Sequence, residues 1–382
     1  MEPPELIVDG LLLRGWRAED AEAVHRACQD PDIQRWTTVP SPYRPDDAAG
    51  FVTVIAPKAW AEGAGAPFAV CDAATGDLLG SCGLVTMDRS GRWAEVGYWT
   101  APWARGRGVA VQATRAVTRW AFEMLALKRI VWQAEVGNHA SRLVALRAGF
   151  VLDGRMRLAE PHPQGTSDGW IGSLLPADLD RPVDERRCGR GSVEARRASV
   201  FCGMQPVLRA GGVTLRRPEH RDLDAIVAAC RDPESQRWIP LPDPYGPADA
   251  RFFVDTRTPL RWAAGEGAVY TIADATDAFA GSIELRISWS DPLVGDVGFL
   301  VAPSARGRGY APAALAALCE WGFTTLGLVR IEWRAYVGNE ASRRAAEKAG
   351  FGHEGTARAA LNYRGRRMDA RVGALVREET TA

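Results

Sequence analysis

The sequence predicts an α/β chain built as two copies of one domain, and three observations carry that reading. The run Arg105-Gly106-Arg107-Gly108-Val109-Ala110 returns about two hundred residues later as Arg306-Gly307-Arg308-Gly309-Tyr310-Ala311. Further anchors keep nearly the same offset: Asp30-Pro31 to Gln34-Arg35-Trp36 with Asp232-Pro233 to Gln236-Arg237-Trp238, Gly137-Asn138 to Ala140-Ser141 with Gly338-Asn339 to Ala341-Ser342, and Gly149-Phe150 with Gly350-Phe351. In both halves short strand-like runs are interleaved with stretches whose apolar residues recur at helical spacing. Domains over 1–178 and 206–382 follow, joined by an Arg-rich segment at 179–205 that shows neither period and reads as a linker.

Each half opens with a short strand, Leu11 to Arg14 or Val213 to Arg216, and then Asp20 or Asp222 at the expected N-cap of a helix. That helix carries Ala23, Val24, Ala27 and Cys28, or Ile226, Val227 and Cys230, on one face. A Pro-rich loop follows, with Pro40 to Tyr43 matching Pro242 to Tyr245, then a helix near Phe51 or Phe253. Strands come next, at Phe68 to Cys71, Leu78 to Val85 and Trp93 to Thr100, matched by Tyr270 to Ala273, Ala280 to Ile287 and Asp296 to Val301. The glycine-arginine run stands between the last of these and a helix through Val109, Ala113, Val117, Trp120 and Met124, or Ala314, Leu318 and Phe323. A strand at Arg129 to Glu135 (Arg330 to Tyr336), a short helix from Asn138 (Asn339) to Gly149 (Gly350) and terminal strands complete each half.

Composition narrows the function. The 382 residues are 46% hydrophobic, enough for two cores. Acidic and basic groups balance at 47 each, so no net field favours nucleic acid or anionic lipid. An Arg-rich RNA-binding arm at the linker is disfavoured because no aromatic residue is interleaved before Phe201. The seven cysteines lack metal-ligand spacing and read as free thiols in a reducing compartment, and no metal is expected. No stretch reads as a signal peptide or a membrane span, so the expectation is a cytoplasmic protein that does not engage a membrane.

A strand, an Arg-Gly-Arg-Gly-x-Ala turn and a helix together make an anion cradle. Glycines let the backbone approach a ligand, first-turn amides lack internal partners, and arginines add charge-assisted bonds. No Gly-Lys-Ser/Thr follows and the glycine spacing is not the dinucleotide fingerprint, so a nucleoside triphosphate is disfavoured. Asn138 and Asn339, each with Ser three residues on, also fit ordinary helix capping.

With Arg-x-x-Gly-x-Ala between strand and helix, and Asn-x-x-Ser opening a later helix before Gly-Phe, both halves resemble the GCN5-related N-acetyltransferases (GNAT). They are most similar to the ribosomal-protein-alanine acetyltransferase-like branch, through the Asp-Pro segment, the Ser-Pro-Tyr or Asp-Pro-Tyr loop and Glu95-Val96-Gly97-Tyr98-Trp99. The resemblance implies two tandem domains, each a central mixed, mostly antiparallel sheet flanked by helices. It implies acetyl-CoA as cosubstrate, its pyrophosphate held by Arg105 to Ala110 and Arg306 to Ala311, and direct attack of a primary amine on the thioester. Asn138 and Asn339 then lie near the pantetheine arm, Ser141 and Ser342 protonate the departing thiolate, and Glu95 is the first candidate base. Asp296 is its shorter counterpart. Trp36, Tyr43, Trp238 and Tyr245 would border the acceptor groove, and Asp168 and Asp369 would position substrate or hold a turn. The acceptor, a protein N-terminus or a small-molecule amine, is left open, and a non-catalytic acyl-CoA-binding role for one or both halves stands as the alternative.

Overall fold

The computed structural model describes residues 1–162, 165–179 and 193–377. The chain divides into two compact units, Met1–Ala195 and Arg196–Ala382. No helix among the described residues is long and apolar enough to cross a membrane.

In the first unit the strands are β1 (Leu6–Val8), β2 (Leu11–Arg14), β3 (Ala66–Asp72), β4 (Leu78–Asp88), β5 (Trp93–Thr100), β6 (Arg129–Glu135), β7 (Val151–His162) and β8 (Gly165–Leu174). They form one sheet in the order β1-β2-β3-β4-β5-β6-β8-β7, antiparallel except for the β5–β6 pair. Helices α1 (Ala21–Cys28), α2 (Pro31–Trp36), α3 (Pro45–Gly50) and α4 (Ala56–Glu62) precede β3, with one π-helical turn at Phe51–Ile55 between the last two. Helix α5 (Val109–Leu125) follows β5 and α6 (His139–Ala148) follows β6. Alternation along β5 sends Ala94 and Val96 into a core with Val117, Ala121 and Ile130, and so turns Glu95 to the other face. Val24, Ile33, Val52 and Cys71 form a separate core around α1 to α4.

The second unit repeats this plan. Helix α7 (Val193–Cys202) precedes β9 (Leu208–Ala210), β10 (Val213–Arg216), α8 (Leu223–Arg231), α9 (Pro233–Trp238), α10 (Pro247–Phe252) and α11 (Thr258–Ala263). Strands β11 (Gly267–Ala273), β12 (Phe279–Ile287) and β13 (Val294–Val301), helix α12 (Tyr310–Thr324), β14 (Arg330–Tyr336), α13 (Glu340–Lys348), β15 (Gly352–Tyr363) and β16 (Arg366–Val376) complete it. The sheet order β15-β16-β14-β13-β12-β11-β10-β9 mirrors the first, with β13 and β14 parallel.

Two readings of the sequence are revised. The 179–205 segment contains a helix, α7, whose Phe201 is buried against Trp262 at 4.7 Å between ring centroids and whose Arg197 Nε donates to Leu326 O at 2.7 Å. Residues 180–192 lie outside the described residues. Asp20 and Asp222 stand at the N-cap positions of α1 and α8 without capping them through their side chains. Their carboxylates instead take the guanidinium of the preceding strand's arginine, Arg14 Nη1 to Asp20 Oδ2 and Arg216 Nη1 to Asp222 Oδ2, both at 2.8 Å.

The Arg216–Asp222 pair is buried, with side-chain exposures of 8% and 3%. Burial opposes the charge on Asp222, yet the hydrogen bonds from Arg216 and the Glu219 amide hold its carboxyl below the ordinary range. That contribution is fully present above the unfolded carboxyl pKa of about 3.9 and is lost as pH falls through the lower folded value. Asp222→Ala removes the two bonds that Arg216 Nη1 and Nη2 make to the carboxylate and leaves the guanidinium to Asp277, 2.7 Å from Arg216 Nε, and should destabilise the second unit by about 2–3 kcal/mol, read by urea unfolding at neutral pH. The difference between variant and parent should shrink below pH 3; equal midpoints at neutral pH would refute it.

Candidate functional site

In each unit the site grows out of one strand–loop–helix segment at a gap in the sheet. β5 and β6 are in register only from Trp93 opposite Arg129 to Glu95 opposite Val131. Beyond Glu95 the two strands part, and the β6-facing edge of Val96 to Thr100 has no strand partner among the described residues. β13 and β14 part in the same way after Val297 opposite Trp333. Such an edge offers backbone donors and acceptors to an extended amide-bearing ligand.

At the far end of each gap the chain turns through Arg-Gly-Arg-Gly into α5 or α12. Gly106 and Gly108 take φ of 75° and 78°, and Gly307 and Gly309 take 76° and 78°, a left-handed conformation that costs a side chain strain. A Cβ at any of the four would meet nothing within 4 Å, so backbone conformation requires the glycines and the space beside them is open. Neither helix has a side-chain cap. Their first backbone bonds run from Gln112 N to Gly108 O (3.1 Å) and Ala313 N to Gly309 O (3.3 Å). The amides of Val109, Ala110 and Val111, and of Tyr310 and Ala311, therefore precede the hydrogen-bond ladder at the positive helix end. Pro312 falls where no donor is needed. This backbone fits a phosphate-bearing cosubstrate.

The arginines divide the work. Arg105 does not reach into the cradle; its Nη2 donates to Asp30 Oδ1 at 2.5 Å and its Nη1 lies 3.3 Å from Asp32 Oδ2. Asp30 also caps α2 through the amides of Asp32 and Ile33. Partial burial works against its charge, but the Arg105 bond and these amides hold its carboxyl below the ordinary range. Arg306 is bound in the same manner by Asp232, with Ser235 Oγ at 3.1 Å from its Nη2. The Asp-Pro and Arg-Gly anchors of the repeat are thus two ends of one ion pair, which fastens the cradle to the helix before it. Arg107, 3.7 Å from Asp72, and Arg308 are exposed beside the cradle.

Glu95 stands at the throat of the first gap, half-buried, on the face opposite Ala94 and Val96. On that face Trp93, Arg129, Val131, Gln133 and Ile171 line a cavity of about 170 Å³. On the other face Tyr98, Trp132 and Ser141 close the gap from β5, β6 and α6. Trp132 Nε1 donates to Ser141 Oγ (3.0 Å), Ser141 Oγ to Tyr98 Oη (3.2 Å) and Tyr98 Oη to Ser141 O (2.9 Å). Burial pushes the Tyr98 phenol well above its usual pKa, so it keeps its proton at neutral pH. In the second unit Trp333 Nε1 donates to Ser342 Oγ at 3.0 Å, and Phe299 stands where the first unit has Tyr98. Asn138 Oδ1 and Asn339 Oδ1 accept from the Ser141 and Ser342 amides at 3.0 and 3.1 Å, which is helix capping in both units. The roles of Tyr98 and Trp132 were not read from the sequence; the recurrence of Trp132 as Trp333 and the Tyr98-to-Phe299 change were the available signals.

The description "Acetyltransferase (GNAT) domain" matches residues 10–151 and again 213–352. The chain belongs to the GNAT family. A 33% identity links 84 of its residues to the ribosomal-protein-serine acetyltransferase of Escherichia coli (strain K12), covering 22% of this chain and 47% of that protein. A 42% identity over 82 residues, 22% of this chain and 45% of that protein, links it to Bacillus subtilis (strain 168) YdaF, provisionally named a ribosomal N-acetyltransferase. The chain thus spans about half the length of these curated relatives. Mycobacterium smegmatis RimJ, solved in complex with CoA-disulfide, superposes at 24% identity and a TM-score of 0.41, over 46% of this chain and 88% of that one.

Around the GNAT gap the remaining residues separate. Tyr43 and Tyr245 do not border a groove; they are buried, 6% and 5% exposed, beside Cys28 and Cys230, because the Pro-rich loop folds inward. Trp36 and Trp238 stay half-buried, each under its neighbouring arginine, Arg35 at 4.3 Å and Arg237 at 4.8 Å from the ring centroid. Arg35 also forks onto Glu135 of β6 at 2.8 and 2.9 Å, joining α2 to the strand edge. Asp168 accepts from the Leu158 amide (2.9 Å) and Asp369 from the Ala359 amide (2.8 Å), where those residues take φ of 50° and 51°. Both aspartates therefore hold left-handed bulges in the last hairpin of their GNAT unit.

Proposed function

We propose that the first unit is an acetyl-CoA-dependent N-acetyltransferase acting on a primary amine. The observation that carries this reading is the continuity of β5, cradle and α5, which puts Glu95 at the throat of a gap whose far end is an uncapped, glycine-shaped anion site. Val109, Ala110 and Val111 hold the cosubstrate pyrophosphate through their amides, with Arg107 adding charge and Arg105 keeping the loop in place. When bound, acetyl-CoA supplies an activated thioester. An aliphatic amine is mostly protonated at neutral pH, so Glu95 takes its proton, directly or through water, and the Trp93–Ile171 cavity receives the group next to the nitrogen. On the opposite side of the gap the Ser141 hydroxyl, positioned by Trp132 and Tyr98, stands beside the departing thiolate, which takes its proton from there or from water.

The acceptor is a protein N-terminal amine, in line with the names of the curated relatives, and the compartment is the cytoplasm. A panel of peptide N-termini and small amines, assayed for CoA release with the product weighed by mass spectrometry, tests this. Acetylation on the α-amine of a peptide is the expected result; CoA release with small amines alone would overturn the acceptor class, and none with any acceptor would overturn the activity. Ser141→Ala and Tyr98→Phe should each lower kcat by about tenfold or less, because water replaces a donor to a thiolate of pKa near 8.5 more readily than it replaces a placed base. Stopped-flow CoA release measures this, and a larger loss than in Glu95→Gln would reverse the assignment.

A further inference from the structure

The second unit keeps the cradle but fills the face beside it with its own charges. Asp296, the register counterpart of Glu95, accepts from Arg286 Nε at 2.8 Å and from Arg286 Nη2. Arg286 Nη1 donates to Glu284 Oε1 at 2.7 Å, and Arg257 Nη2 to Glu284 Oε2 at 3.0 Å. A Cβ on Gly298 would lie 3.6 Å from Glu284 Oε1 and 3.7 Å from Arg286 Nη2, so this network covers the strand face along from Asp296. Opposite Gly97 and Glu95 the first unit has Gly83 and Thr86 instead. The next strand differs too: Arg330, Glu332 and Arg334, with Glu354 on Arg330, replace the face of Arg129, Val131 and Gln133.

Two more observations are independent of that network. The turn between β15 and β16 is tied across to α9 and the loop after it. Tyr363 Oη donates to Gln236 O (2.8 Å), Arg364 Nη2 to Gln236 Oε1 (2.6 Å) and Arg364 Nη1 to Asp243 Oδ2 (3.1 Å). And Phe299 leaves Ser342 without the phenol that Ser141 meets in Tyr98.

We infer that the second unit binds acetyl-CoA and transfers nothing from it. The inference rests on the acetyl-transfer reading of the first unit. A base must offer a lone pair to an incoming ammonium; Asp296 has two guanidinium N–H groups on one oxygen, and the guanidinium repels the cation that a base is there to deprotonate. Arg364 and Tyr363 tie the β15–β16 turn to α9 and the loop after it, which closes the space between them. The Gly307 and Gly309 backbone and the Tyr310 and Ala311 amides share none of these contacts, so the cosubstrate end stays open.

Titration of the full-length chain with CoA should count close to two sites, and Gly309→Val should reduce the count to one. Should Gly309→Val impair folding, Arg308→Glu, at an exposed position, should weaken the second site about tenfold. Glu95→Gln should lower transfer by about a hundredfold or more while still counting two sites. A count of one in the parent chain overturns the inference, as does transfer that persists in Glu95→Gln and disappears on adding Gly309→Val. Transfer that persists in Glu95→Gln and disappears on adding Gly108→Val instead locates the chemistry in the first unit, leaves this inference standing and faults the Glu95 assignment alone.

Discussion

Glu95→Gln is expected to lower kcat for amine acetylation by about a hundredfold or more, with acetyl-CoA affinity little changed. The substitution keeps shape and hydrogen bonding at the last paired position of β5 and removes only basicity. Glu95 is the carboxylate at the throat of the first gap, level with Val131 and beside the Trp93–Ile171 cavity, so its loss strikes proton transfer rather than cosubstrate binding. Because the acceptor amine is more fully protonated at lower pH, a placed base matters most there, and the variant should lose most at the acidic end of the range pH 6 to 9. Full activity in Glu95→Gln across pH 6 to 9 would sink the assignment.

Gly108→Val should remove the cosubstrate site of the first unit, raising its Kd by about a hundredfold or more. Two effects act together. Gly108 sits at φ 78°, where a β-branched residue is strained, and it is the N-cap residue of α5, so relaxing that strain re-aims the Val109 and Ala110 amides. No neighbour lies within 4 Å of the added Cβ, so the core is not overpacked and the unit should still fold. Calorimetric titration with CoA and a urea unfolding curve separate the two outcomes. Unchanged affinity in a folded protein would show that the cradle backbone does not hold the ligand.

The duplication, the order of strands and helices and the cradle were legible in the sequence because each is written locally: alternation, helical spacing, and glycines where the backbone must turn left-handed. The face that Glu95 presents was legible for the same reason, since alternation alone opposes it to Val96, whereas its candidacy as base came from the family resemblance. Helix α7 was missed because its apolar residues are few and interrupted by charge, and Phe201 makes sense only against Trp262, far along the chain. Tyr43 and Tyr245 were misplaced because a loop's direction is set by what it packs on, not by its residues.

What the sequence determined by itself is the family, the repeat and the two anion cradles, all properties of contiguous residues. Tertiary structure alone decided which groups meet across the gaps. Arg105 and Asp30, Tyr98 and Ser141, Arg286 and Asp296, Arg364 and Gln236 are brought together only by strand register and helix packing. In the second unit, at Asp296, a guanidinium already occupies the place an amine would need.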